Sequence, residues 1–252
     1  MKATNEIRYR GIDTARYPLR ATSVGTFLLV VSLTAALHFA FWAVKSHHGV
    51  APSVEESLPS VSYNRFASDN SEVSESRIRA DLTAIAAEAK AVRTYSSTQG
   101  LELVPQIAAE LGLKVSLGIW IDKNDARNDR EISTALELAR RYPNVTRLVV
   151  GNETIFRHDQ TPASLVRIIN RVKRDSPVPV ATADNWRVFL AHPELVDGVD
   201  QVFAHILPYW EGLRKGAAVD GSLNFYEKLR EAYPDKKIVI GEFGLAERGT
   251  QF

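Results

Sequence analysis

The chain has 252 residues, 45% of them hydrophobic and 24% charged, with a formal net charge of +1 and no cysteine. This is the balance of a globular chain able to build one large domain, and it excludes pervasive disorder, cysteine nucleophiles and thiolate metal sites. Lys2, Arg8, Arg10, Arg16, Arg20 and Lys45 outnumber Glu6 and Asp13 in the first 45 residues, which leaves the remainder slightly acidic. With no basic stripe interleaved with aromatics, nucleic acid is excluded as a partner.

Residues 1–23 read as a basic cytoplasmic tail. Val24–Val44 carries no formal charge and is about 20 residues long, the length that crosses a bilayer core as a helix. It is expected to be an uncleaved transmembrane signal-anchor, with His38 neutral among its neighbours and Trp42 at the interface. A cleaved signal peptide fits less well, because no small-x-small site follows and the run is long for a signal sequence. The positive-inside rule then places everything after about residue 45 outside the cytoplasm, in a single-pass protein of the cell (inner) membrane with a periplasmic body. Residues 45–57, small, polar and proline-containing, read as a linker, and residues 58–252 as the folded body.

From Leu58 onward, short apolar runs alternate with helical patterns. Strands are predicted near Leu58–Tyr63, Ala91–Tyr95, Lys114–Ile121, Thr146–Val150, Pro179–Thr182, Gln201–Ile206 and Lys237–Gly241. Helices are predicted near Ser76–Lys90, Leu101–Leu111, Asp129–Tyr142, Pro162–Asp175, Arg187–Ala191 and Leu223–Tyr233. Ile78, Leu82, Ile85 and Ala89 keep the helical period, as do Ile132, Ala135, Leu136 and Ala139. The alternation predicts a parallel sheet with right-handed crossovers. Without a Gly-rich phosphate loop after the first strand, the α/β class points to a (β/α)8 TIM-type barrel rather than a dinucleotide fold. Seven strands are one short of a closed barrel and only Phe243–Phe252 follow the last, so the chain is expected to stop before closure.

In such barrels the C-terminal rim carries the site. The strand ends present Ser62, Tyr63 and Asn64; Arg93, Thr94, Tyr95 and Ser96; Trp120 and Asp122; Asn152 and Glu153; Asp184, Asn185 and Trp186; His205, Tyr209 and Trp210; and Glu242. Aromatic faces stack on pyranose C–H faces while Asn, Asp, Arg and Tyr bond hydroxyls, so this rim reads as a sugar cleft. Two rim carboxylates, Glu153 and Glu242, are the minimum equipment for glycosidic cleavage. Such cleavage needs one protonated and one ionised. Arg93 is expected to keep Glu242 ionised, whereas burial and mutual repulsion are expected to raise Glu153. Alternatives stand beside these readings. The glutamates could form a rim salt bridge, Arg93 could be a structural partner, and Trp120, Trp186 and Trp210 could pack between barrel and helices. Glu211, Lys236 and Lys237 read as solvated groups, and His158 and His205 lack the company of a metal-ligand set.

Arg93-Thr94-Tyr95, Gly151-Asn152-Glu153, the run from His205 to Gly212, and Gly241-Glu242-Phe243-Gly244 together resemble glycoside hydrolase family 17, the β-1,3-glucanases, and most closely its bacterial membrane-linked members. The resemblance implies a retaining hydrolase or transglycosylase acting on β-1,3-glucan without a cofactor, with Glu153 as acid/base and Glu242 as nucleophile. It also implies that Asn152 binds the sugar 2-hydroxyl, that Tyr209 sits near the nucleophile, and that a membrane glycosyltransferase works alongside. A non-catalytic glucan-binding module is the alternative, motivated by the incomplete barrel.

Overall fold

A computed structural model describes residues 21–45, 57–64 and 74–244. The chain divides into two compact units, Met1–Val54 and Glu55–Phe252. The tail up to residue 20, most of the expected linker and the side chain of Trp42 lie outside the described residues.

In the first unit, helix α1 (Ala21–Lys45) contains an 18-residue stretch, Val24–Phe41, of mean hydropathy 2.0, long and apolar enough to cross a membrane. Its polar side chains turn back on the helix. Thr34 donates to the Val30 carbonyl at 2.8 Å and His38 Nδ1 lies 3.1 Å from the Thr34 carbonyl, which spares both an unpaired polar atom.

The second unit runs β1 (Val61–Ser62), α2 (Glu75–Glu88), β2 (Ala91–Arg93), α3 (Val104–Glu110), β3 (Lys114–Ile119), α4 (Asp125–Arg141), β4 (Val145–Asn152), α5 (Pro162–Asp175), β5 (Val180–Asn185), α6 (Trp186–Ala191), α7 (Pro193–Gly198), β6 (Gln201–Ile206), α8 (Ala218–Ala232) and β7 (Lys237–Phe243). The seven strands pair in chain order, each parallel to the next. In a flat sheet β2 and β7 would stand about 24 Å apart, at about 4.8 Å per strand interval. Yet Arg93 Nη1 at the end of β2 donates to the Gly241 carbonyl of β7 at 2.9 Å. The sheet is therefore rolled, and one side chain spans its interior.

Two cores follow from the rolling. The larger lies between strands and helices and holds Ile78, Leu82, Leu117, Leu148, Leu165 and Phe189. The smaller fills the barrel with Val149, Ala181, Ala183 and Phe203. Over the Phe203 ring stand the guanidinium groups of Arg93 at 5.7 Å and Arg147 at 5.6 Å. Side-chain caps fix helix starts: Ser74, Asn124 and Thr161 accept from the backbone N–H groups of Arg77, Arg127 and Ser164.

The structure corrects several predicted bounds. The first strand is only Val61–Ser62, with Leu58 bridging to Ala89 alone. The helix expected over Leu101–Leu111 begins as a 3-10 turn, Leu101–Leu103, before α3. Helix α7 was not predicted, and α8 begins earlier than the expected Leu223.

Candidate active site

Strands β4 and β7 both lose register at their C-terminal ends. On β4 the ladder to β5 slips between Val149 and Asn152, and on β7 Gly241 is the extra residue between Ile240, opposite Ala204, and Glu242, opposite His205. A bulge of this kind re-aims the side chains beyond it. Each bulge contains a glycine for a definite reason. Gly151 has φ +77°, and a Cβ there would come within 2.4 Å of Thr154 Oγ1. A Cβ on Gly241 would lie 3.1 Å from His205 Cδ2 and 3.3 Å from Arg93 Nη1. Glu153, directly after the first bulge, takes the left-handed φ of 53° that non-glycine residues seldom adopt.

Beyond the bulges the two glutamates meet opposite nitrogens of one ring. His205, with no exposed surface, places Nδ1 3.0 Å from Glu153 Oε1 and Nε2 3.5 Å from Glu242 Oε1. Arg93 Nη1 lies 3.2 Å from His205 Nε2. A guanidinium only donates, so Nε2 is the acceptor of that bond and the Nδ1 proton is directed at Glu153. Arg93 also donates to Asn152 Oδ1 at 2.8 Å and lies 3.5 Å from Glu242 Oε1. The phenol of Tyr95 donates to the same Glu242 oxygen at 2.8 Å. Burial lowers the Arg93 pKa, opposed by the neighbouring negative charges.

Glu153 departs from its expected electrostatics. Its pKa lies below the ordinary carboxylate value, chiefly through the hydrogen bond from His205, with the Arg157 and Arg93 charges assisting against burial. The expected rise from repulsion and burial is thus overturned in the free protein: a buried donor and two cations outweigh desolvation.

The other predicted residues divide into those at the rim and those removed from it. Tyr63 is in the core, its hydroxyl 3.2 Å from Asp81 Oδ2 and its pKa pushed up to about 12 by burial and that carboxylate. Asp184 is buried and accepts from the backbone N–H of Asn185 at 2.8 Å and of Ile155 at 3.0 Å, so it anchors the turn after Glu153 rather than facing a sugar. Burial raises its pKa against the pull of those N–H donors. Trp186 stacks on Phe225 at 4.6 Å and is buried, which realises the packing alternative. His205 likewise serves the carboxylates and has no face free for substrate. Trp120 remains at the rim, capped by the Arg157 guanidinium at 4.1 Å. Trp210 is 76% exposed and stands edge-on to Tyr209 at 5.1 Å.

Glu211 and Lys236 are not simply solvated. Glu211 accepts from Trp186 Nε1 at 2.8 Å and pairs with Arg187, and Lys236 donates to the Val199 carbonyl at 2.8 Å. Sequence reasoning also missed Arg157, which ties the carbonyls of Asn152 and Ile121 together beside Asp159. It missed Glu131, although that residue shares the buried stripe of α4 with Asn128, Ala135 and Leu138, where a charge at helical spacing is a legible signal.

Residues 60–252 match the family model of the BtgE/BtgC glycoside hydrolase domain. The chain is 26% identical over 200 residues to glucan 1,3-beta-glucosidase BGL2 of Candida albicans, covering 69% of this chain and 62% of that protein. It is 27% identical over 198 residues to a probable glucan endo-1,3-beta-glucosidase, btgC, of Aspergillus flavus, covering 70% of this chain and 28% of that one. The chain thus spans less than two thirds of the length of these relatives. Among solved structures, a glycoside hydrolase family 17 beta-1,3-glucanosyltransferase from Rhizomucor miehei superposes with a TM-score of 0.64 at 26% identity, covering 72% of this chain and 69% of that one. An active-site mutant of that enzyme in complex with laminaritriose superposes with a TM-score of 0.62.

Proposed function

Because the chain belongs to the BtgE/BtgC glycoside hydrolase domain family, and with it to glycoside hydrolase family 17, we propose that it is a retaining hydrolase or transglycosylase acting on β-1,3-glucan. The observation that carries this reading is the pair Glu153 and Glu242 set about one buried imidazole, with the Tyr95 hydroxyl bonded to Glu242 and the Arg93 guanidinium 3.5 Å from it. The two carboxylates have different surroundings, as two different roles require.

In the first step the Glu242 carboxylate attacks the anomeric carbon, the glycosidic C–O bond breaks, and the Glu153 carboxyl protonates the leaving oxygen. Glu153 Oε1 holds the His205 N–H, so Oε2 is the oxygen that carries this proton. In the second step Glu153, now ionised, takes a proton from water or a sugar hydroxyl, whose oxygen displaces Glu242. Asn152 Oδ1 is taken by Arg93, which leaves its amide N–H groups to donate to the sugar 2-hydroxyl. Trp120, Tyr209 and Trp210 supply the aromatic faces of the cleft.

Incubation with laminari-oligosaccharides tests the proposal through reducing-sugar release and product length. Shortened products mean hydrolysis and lengthened ones transglycosylation; no change in either overturns the reading. A membrane-anchored, extracytoplasmic placement belongs to the same proposal. Its support is the apolar stretch Val24–Phe41 and the basic residues preceding it. A membrane glycosyltransferase that makes the glucan is the partner such a placement suits.

A further inference from the structure

We propose that Glu131, on the helix after β3, is a positioning residue that holds the loop after β2 so that Tyr95 meets Glu242. The inference rests on the proposed function only in giving Glu242 the role of nucleophile. Glu131 is 1% exposed, and among the described residues no cation is paired with it. Its charge is met by donors instead. Oε1 accepts from the hydroxyls of Ser96, at 2.5 Å, and Thr98; Oε2 accepts from the backbone N–H of Ser97 at 2.9 Å and of Trp120 at 3.1 Å. The Ser97 hydroxyl lies 2.8 Å from the Glu131 carbonyl and 3.1 Å from Oε2, sharing its one proton between them. Burying a carboxylate without a cation is unfavourable unless such charge-assisted bonds replace its water.

The bonds are concentrated on one segment. Residues 96–98 follow Tyr95 directly, and the loop then turns sharply through the left-handed Gln99 and Gly100, at φ 57° and 94°. A loop of that shape takes its position from what binds it, and here α4 binds it through the carboxylate and the carbonyl of Glu131. The tie continues to Trp120 at the end of β3, and Tyr95, Trp120 and Glu131 line one cavity of about 210 Å³ with Asn64, Ser96 and Arg127. Tyr95 reaches Glu242 through its hydroxyl alone, so displacement of the loop by a fraction of an ångström lengthens that bond. The cost is then expressed in the chemical step.

A double-mutant cycle on the 252-residue chain in detergent micelles tests this. Glu131→Ala is expected to lower kcat on laminari-oligosaccharides about tenfold, the scale of a lost positioning contact. Glu131→Gln is expected to recover most of it, because the amide oxygen can face the two backbone N–H groups while the Ser96 and Thr98 hydroxyls rotate to accept. In a Tyr95→Phe background the loss from Glu131→Ala should shrink to about twofold or less, since interacting sites are not additive. An undiminished tenfold loss there, or wild-type kcat in Glu131→Ala, overturns the proposal. Should Glu131→Ala fail to fold, Ser97→Ala in the same cycle is read by the same criterion. A second readout needs no turnover: with 3-fluorotyrosine incorporated, the fluorine resonance that Tyr95→Phe removes should move in both Glu242→Gln and Glu131→Ala. If the wild-type chain leaves β-1,3-glucan unchanged, the proposed function fails, and the resonance decides the role of Glu131. A resonance that moves in Glu242→Gln but not in Glu131→Ala overturns it.

Discussion

Burial pulls the Glu153 carboxyl towards its protonated form, while the His205 N–H, with Arg157 and Arg93 behind it, pulls the other way and prevails. His205→Phe removes the donor and keeps the burial, so the pKa of Glu153 rises. The alkaline limb of kcat/KM, which reports the essential acid of the free enzyme, should therefore move to higher pH. The same shift acts on stability. A carboxyl depressed in the fold favours the native state above its unfolded pKa, and that contribution disappears as pH falls through the folded value. The acid arm of the stability curve should accordingly flatten in His205→Phe, as chemical denaturation across pH 2–5, a range of about the ordinary carboxylate titration, would measure. Glu153→Gln and Glu242→Gln should each lower turnover of laminarin by roughly 10²–10⁴-fold. With an activated aryl β-glucoside, whose leaving group needs no protonation, only Glu153→Gln should still accumulate the covalent intermediate, detectable by mass spectrometry. Both glutamates are legible in the sequence because each stands at the end of a short β-branched, apolar run. The direction of the Glu153 shift is not, because it depends on His205, which lies 52 residues away and gains its meaning from a rolled sheet.

Among the elements, β4 and β7 are where strand regularity is sacrificed for aim. Gly241→Ala introduces a methyl group against His205 Cδ2, Phe203 Cβ and Arg93 Nη1, none of which stands on an open side of the barrel. Overpacking of this kind costs about 1–3 kcal/mol. We expect a lower thermal midpoint and a loss in kcat/KM of more than about tenfold, because the displaced groups are those that orient the glutamates. A variant with wild-type values of both would show that β7 can shift without cost. Strand positions were readable from β-branched runs bounded by turn residues, and α5 was readable at both ends from Thr161, Pro162 and its period. Helix α7 was not, since its six residues contain fewer than two turns and no period can emerge. The split of the segment before β3 into a 3-10 turn and α3 also escaped the pattern, although Pro105, lacking an N–H, marks where the α-helix can begin. Bulges are the least legible feature of all, because an extra residue in one strand is defined only by its partner.

For the molecule as a whole, the parallel barrel class was legible from the alternation of strands and helices, and the rolled sheet follows the chain in order from β1 to β7. The proposed placement of the second unit outside the cytoplasm is open to a direct measurement. A reporter active only in the periplasm, fused after Phe252, should be active, whereas activity of a cytoplasm-only reporter there would reverse the orientation. The reach of Arg93 has a further consequence, in the order in which the site comes into being. Its bonds join residues 59, 112 and 148 positions apart, and the Tyr95–Glu242 bond joins residues 147 apart. Contacts of such separation form late, after the intervening chain has been made and folded. On a ribosome, β2 is translated long before β7, so Arg93 and Tyr95 wait for most of the synthesis of the domain before Glu242 exists to receive them. A nascent chain arrested before residue 242 therefore carries Glu153 and His205 without Glu242, and under the proposed roles the site is complete only when the seventh strand docks.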